Sequence, residues 1–312
     1  MPEEECFDEQ RREEIKAPMK LLRLAVLLLS SRANIALTPT TLIYDRVHCV
    51  AHDVSGSGNF LFRSNMPLAY NATGVALPED FGYADLSDAV RSRAPEECGA
   101  DIAGDFFLVE VTLNNALDDS QGLVAVRAWH STPANMAKGR LVEWPIGTAG
   151  IVPPVAVPAS MRPTVAAGMW EVDQLPARVQ QLNELLSLDR PNWAAGLPLV
   201  IVVHCSAGCD RTGEMIGAWR LSAYAAGWMD AQLSAADMYA LDVSECTRAP
   251  NYYSTHALEW YCLWLQEDQG VGGLGDCLGF ASCEPPPKAN CSQTQTPTAA
   301  TRMRATPQLQ NR

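Results

Sequence analysis

The chain has 312 residues and carries 23 Lys and Arg against 36 Asp and Glu, a formal net charge of −13. A surface this acidic lacks the cations that a protein tracking nucleic-acid phosphates needs, so nucleic acid is excluded as a partner. With 47% apolar and 19% charged residues the chain can bury a core, which excludes disorder over most of its length and suits one α/β domain with tails.

The first sixteen residues hold seven acids and three bases and read as a solvated charge run. From Met19, Lys20 and Arg23 precede an apolar stretch, Leu24 to Leu29, and then small residues at Ser31 and Ala33. That order resembles a secretory signal or signal anchor over 19–36, orthodox if translation starts at Met19. The alternative is a short amphipathic helix packed on the domain, because Arg23 interrupts the apolar run. No stretch approaches the ~20 uninterrupted apolar residues of a spanning helix, which excludes a transmembrane bundle. Oligomeric state is not legible.

Ten cysteines are many for an acidic intracellular enzyme, and oxidised pairing is expected. Loss of Cys6 with a signal and a free Cys205 leave an even number, of open connectivity. The sequons at Asn71 and Asn290 fit the same secretory or extracellular location, with the cytoplasm as the alternative.

Along the chain, His48, Cys49, His52 and Asp53 gather potential metal ligands, but without a distant partner they are a weak zinc signal and no metal is expected. Apolar runs at Phe106–Val111, Leu123–Ala128 and Leu199–Val203 read as strands. Pro176 opens a helix whose Val179, Leu182 and Leu186 share one face. A second helix starts near Arg211 and stops at Gly227, and a third carries Leu258, Tyr261, Trp264 and Leu265 on one stripe. Strands alternating with helices predict an α/β domain over 38–283, a mixed central sheet flanked by helices. Beyond Cys283 the chain is rich in Thr, Pro and Gln without an aromatic residue, and 284–312 reads as a disordered tail.

Chemistry concentrates where the strand at Leu199 meets the helix at Arg211, through Cys205, Ser206, Ala207, Gly208, Cys209 and Asp210. Amides of a tight, glycine-containing turn at a helix N-terminus converge on an anion, and the helix dipole adds to them. The planar guanidinium of Arg211 can hold two phosphoryl oxygens at once. The same field favours the ionised form of a thiol placed at Cys205, and a thiolate facing phosphorus is a nucleophile.

His204, Cys205, Gly208, Arg211, Thr212 and Gly213 match HC-x5-R-[ST]-G, and here the sequence resembles the cysteine-based protein tyrosine and dual-specificity phosphatase family. The resemblance implies a phosphatase domain that places its phosphate-binding loop between a buried strand and a helix and uses no cofactor. It implies that Cys205 forms a phosphocysteine, that Arg211 binds the phosphoryl group, that Thr212 stabilises the departing thiolate and that His204 orients the loop. The loop residues Ser206, Ala207, Gly208, Cys209 and Asp210 then bind phosphate with Arg211. The family also uses an aspartic acid about thirty residues upstream to protonate the leaving oxygen. Asp173 lies 205 − 173 = 32 residues upstream, with Glu171 second, while the plainer reading of Asp173 is a helix cap. Trp144 and Pro145 are similar to the start of a Trp-Pro-Asp loop, but Ile146 stands where the acid belongs, so the pair reads as structural. Arg63 and Ser64 resemble an Arg-Ser segment of the family, with Arg63 more readily structural.

Two loop residues depart from the common pattern. Cys209 is either a small buried hydrophobe or a reversible disulfide partner for Cys205, although a tight loop strains such a bond. Asp210 before Arg211 also occurs in inositol-lipid phosphatases. The expected substrate is therefore phosphotyrosine, alone or with phosphoserine and phosphothreonine, in proteins. A phosphoinositide or inositol phosphate is the alternative, and an inactive phosphate-binding module the rival of another class.

Overall fold

The computed structural model describes residues 41–68, 81–115, 120–147 and 152–279. The signal-like segment, both sequons and the Pro/Thr/Gln-rich tail lie outside the described residues.

The architecture is α/β, a five-stranded mixed sheet flanked by helices. The strands are β1 (His48–His52), β2 (Phe60–Asn65), β3 (Phe107–Thr112), β4 (Gly139–Glu143) and β5 (Leu199–Cys205). They lie in the order β1-β2-β5-β3-β4, with β1 antiparallel to β2 and every other pair parallel. The central strand β5 is buried along its whole length, which is why it reads as an unbroken apolar run.

Alternation along the strands sorts side chains between two cores. Leu199, Ile201 and Val203 of β5 and Phe107, Val109 and Val111 of β3 face one core. Against it pack α5 (Leu175–Leu186), α6 (Asp210–Ala225), α7 (Ala235–Cys246) and α8 (Tyr252–Glu267). Val200 and Val202, with Leu108, face the other core, under α1 (Tyr83–Arg93) and α2 (Ser120–Ser131). Two further helices complete the order, the short α3 (Pro133–Met136) before β4 and α4 (Arg162–Asp173) before α5.

Three of the expected helices form, at α5, α6 and α8. Val179, Leu182 and Leu186 are all buried, as their spacing requires. The expected strand at Leu123–Ala128 is instead the middle of α2. Its exposed Val124 and Arg127 fall three apart, and so do the buried Leu123 and Val126, a helical period that a short apolar run conceals.

Among the described residues three disulfides join Cys49 to Cys98, Cys209 to Cys246 and Cys262 to Cys277, with Cα–Cα distances of 5.9, 5.4 and 5.5 Å. Cys205 is the free cysteine among the described residues. The pairing removes Cys49 from any metal set, and His48 instead contacts Glu97 at 3.0 Å. Cys209 is thus neither an unpaired hydrophobe nor a partner for Cys205, because Cys246 at the end of α7 occupies it.

Beneath β2 and α6 lies a buried ionic cluster. Asp242 Oδ1 accepts from Arg63 Nη1 and from Arg220 Nη1, both at 2.6 Å, and Glu245 accepts from the same two guanidiniums at 2.8 and 2.5 Å. Two cations meet two carboxylates, so the charges balance, but removing one acid strands a buried arginine. Asp242→Ala is expected to cost about 3–5 kcal/mol in urea unfolding, whereas a loss under about 1 kcal/mol would mean that water already reaches the cluster.

Candidate active site

Cys205 ends β5, and α6 begins five residues later at Asp210. The segment between them turns sharply at Gly208, whose φ is +74°. A Cβ there would lie 2.6 Å from the amide nitrogen of Asn65 and from the carbonyl oxygen of Ser64, so β2 and the backbone angle both demand glycine.

Three successive carbonyls of this turn are taken from outside it. Ser206 O accepts from the Met66 amide at 3.4 Å, Ala207 O from Arg46 Nη1 at 2.5 Å, and Gly208 O from Arg63 Nη2 at 3.0 Å. A trans peptide points its N–H opposite to its C=O. The amides of Ala207, Gly208 and Cys209 are therefore turned to the inner side of the loop, at the N-terminus of α6 where the helix dipole adds positive potential. The Ser206 amide instead donates to Asn114 Oδ1 at 3.1 Å, while Asn114 Nδ2 donates to Ser206 Oγ at 3.0 Å. Ser206 is thereby locked to the segment after β3.

Asp210 would repel an anion if its carboxylate faced the loop. Arg248 prevents this with a two-pronged contact at 2.8 and 2.9 Å, and the Asn251 amide adds a third at 2.7 Å. Arg211 donates from Nη1 to Leu113 O at 3.2 Å and lies against Gly147, where a Cβ would come within 3.0 Å of its Cδ. The Trp144–Gly147 segment thus runs beside Arg211, with Trp144 and Ile146 buried and their amides bonded to Thr112 O and Leu113 O. Thr212 is fully buried, and its hydroxyl has no hydrogen-bond partner among the described residues.

His204 points to the opposite face of the sheet from Cys205, as neighbours in a strand must. Its Nε2 contacts Glu110 Oε1 at 2.7 Å, and the other oxygen of Glu110 contacts His130 Nε2 on α2 at 2.7 Å. Burial opposes the charge on Glu110, but the hydrogen bonds from His130 and His204 outweigh it and hold the carboxyl below its ordinary value. Glu110 was not singled out from the sequence. The available signal was a lone acid inside the apolar run that became β3.

Asp173 is the last residue of α4 and is 2% exposed. Its Oδ1 accepts from the Leu175 amide at 3.0 Å, but Gln174 and not Asp173 holds the N-cap position of α5. Glu171 is exposed. Asp173 also acts on a residue that the sequence reading passed over, Glu214 of α6. Burial first, then the charge of Asp173, push the Glu214 carboxyl well above the usual range. Cys205 acts in the same direction, while the Ser254 hydroxyl and the Arg211 guanidinium oppose it. Asp173, Glu214, Arg211 and Cys205 therefore form one electrostatic neighbourhood, brought together from α4, α6 and the end of β5.

No family model and no curated protein matches the chain. A protein tyrosine phosphatase from Trypanosoma brucei, solved by crystallography, aligns with 78% of this chain and 79% of its own, at 14% identity and a TM-score of 0.34.

The depressed Glu110 carboxyl has a pH consequence. It binds its proton less readily folded than unfolded, so its stabilisation is complete above the ordinary 4.5 and is lost as pH falls through its native value. The stability gap between the wild type and Glu110→Gln is expected to shrink below that pH in urea titrations. A gap constant with pH would show that the histidines do not hold the carboxylate charged.

Proposed function

We propose that the chain is a cysteine-dependent phosphomonoester hydrolase acting on phosphotyrosine, or on phosphotyrosine with phosphoserine and phosphothreonine, in proteins. The observation that carries this reading is the free Cys205 at the foot of a loop whose carbonyls are drawn outward by Arg46, Arg63 and Met66. An inward ring of amides at a helix N-terminus, closed by Arg211, suits a phosphoryl group and its transition state. The match of His204 to Gly213 to HC-x5-R-[ST]-G supports the same reading.

In the first step the Cys205 sulfur attacks phosphorus, the bond to the leaving oxygen breaks, and Asp173 supplies that oxygen with a proton. Water then attacks the phosphocysteine, its proton passes to Asp173, and the thiolate departs toward the Thr212 hydroxyl. Arg211 and the amides of Ala207 to Asp210 hold the phosphoryl oxygens throughout. His204, fixed by Glu110, orients the loop from behind.

Phosphoinositide or inositol phosphate hydrolysis is the second reading, supported by Asp210 directly before Arg211. The three disulfides favour an oxidising, secretory or extracellular location for the 38–283 domain. No helix among the described residues is long and apolar enough to cross a membrane.

Phosphate release from para-nitrophenyl phosphate tests the reading. Cys205→Ser is expected to abolish turnover while phosphate binding persists. Retained hydrolysis would remove the thiolate from the mechanism, and silence of folded wild type would leave a binding module. Asp173→Ala is expected to lower kcat by about 10²-fold or more, and by less with a leaving group that needs no proton. A rate unchanged by Asp173→Ala would leave that residue only its hydrogen bond from the Leu175 amide.

A further inference from the structure

An open cleft of about 440 Å³ lies beside β4, away from the Cys205 loop. Its walls include Phe107, Leu141, Met136 and Trp193, which are apolar or aromatic, together with Arg140 and His130. β4 is an edge strand, so the cleft is not closed by a further strand.

The charges around the cleft are paired except one. Arg127 on the same wall is held by Glu143 through two contacts at 2.9 and 2.6 Å. His130 is bonded to Glu110. The Arg140 guanidinium makes no ion pair and no hydrogen bond among the described residues, and its Nε is buried without an acceptor. Its guanidinium lies over the Trp193 ring at 3.7 Å, and Trp193 meets Phe107 edge-on at 5.4 Å. Partial burial works against its charge and draws its pKa down from the ordinary value. Arg140 also borders a second concavity, of about 300 Å³, and the acid there, Glu184, accepts instead from Gln180.

A half-buried cation with one N–H shut off from water and no carboxylate beside it is incompletely satisfied, the more notable in a chain with thirteen acids in excess. The aromatic stack fixes the guanidinium plane but supplies no acceptor for its N–H groups. A ligand that brings one anionic group to Arg140 and an aromatic body to Phe107, Leu141 and Met136 satisfies both. The geometry points to this cleft as a binding site for a small aromatic carboxylate, sulfonate or phosphate, separate from the Cys205 loop and independent of its chemistry.

Anilinonaphthalene sulfonate, an aromatic anion that fluoresces when bound, is the probe, titrated into the full chain. One saturable equivalent is expected, with the same affinity in a folded Arg211→Gln, whose Cys205 loop lacks its guanidinium. Arg140→Gln is expected to weaken binding about tenfold or more, and Arg140→Lys much less, because the lost interaction is a charge-assisted hydrogen bond. On the unmutated protein, the dye is expected to protect Arg140 from phenylglyoxal, read by peptide mass spectrometry. Loss of dye binding in a folded Arg211→Gln, wild-type affinity in a folded Arg140→Gln, or undiminished modification of Arg140 would each overturn the site.

Discussion

The arrangement around Cys205 depends on where three carbonyls point. A four-residue turn between strand and helix has no intrinsic reason to aim its amides at one spot, since a free turn would hydrogen-bond its carbonyls to water in any direction. Here Arg46, Arg63 and the Met66 amide take the carbonyls of Ala207, Gly208 and Ser206 from outside. Peptide planarity then turns the paired amides inward. Amides turned in this way are fixed before any ligand arrives, which is the condition under which dipoles stabilise charge at no reorganisation cost.

Arg63 can do this because it is itself held. It is 1% exposed, and a guanidinium so buried needs anionic partners. Asp242 and Glu245 supply them and are shared with Arg220, so β2, α6 and α7 meet on one charge cluster directly under the loop. The Cys209–Cys246 disulfide joins the first turn of α6 to the end of α7 beside it. Arg248, just beyond α7, neutralises Asp210. Two covalent or ionic ties thus come to the loop from the α7 end, and a third from β2. The consequence is a loop positioned by the rigid elements around it, as a binding site on a short turn requires.

The opposite face of the sheet bears on the same point. His204 and Cys205 are neighbours in β5, so their side chains enter different cores. Glu110 fixes His204 within the second core and is itself held by His130 of α2. A histidine bridged to a buried carboxylate has a defined ring orientation, and the backbone it shares with Cys205 inherits that definition. The cleft beside β4 reaches this assembly at His130.

The sequence by itself determined the local parts. The strand Leu199–Val203, the helix after Arg211, the glycine at 208 and the Cys205 to Arg211 spacing follow from short-range rules of periodicity and backbone conformation, and these do not need the rest of the chain. Even here a short apolar run misled, because Leu123–Ala128 fits either period until its neighbours show which side is buried. Tertiary structure alone decided which residues serve the loop. Arg46, Arg63, Asn114, Glu110 and Arg248 lie between 38 and 161 residues from their partners in the loop or its strand. Their roles arise from sheet order and helix packing, and nothing in their local sequence carries that information. Cysteine pairing is the same case: an even count foretold oxidation, but only the packing of α7 against α6 could join Cys209 to Cys246. The reason is physical. Dihedral preference and hydrophobic period are properties of a few consecutive residues, whereas a buried charge or thiol finds its partner only once distant elements have closed around it.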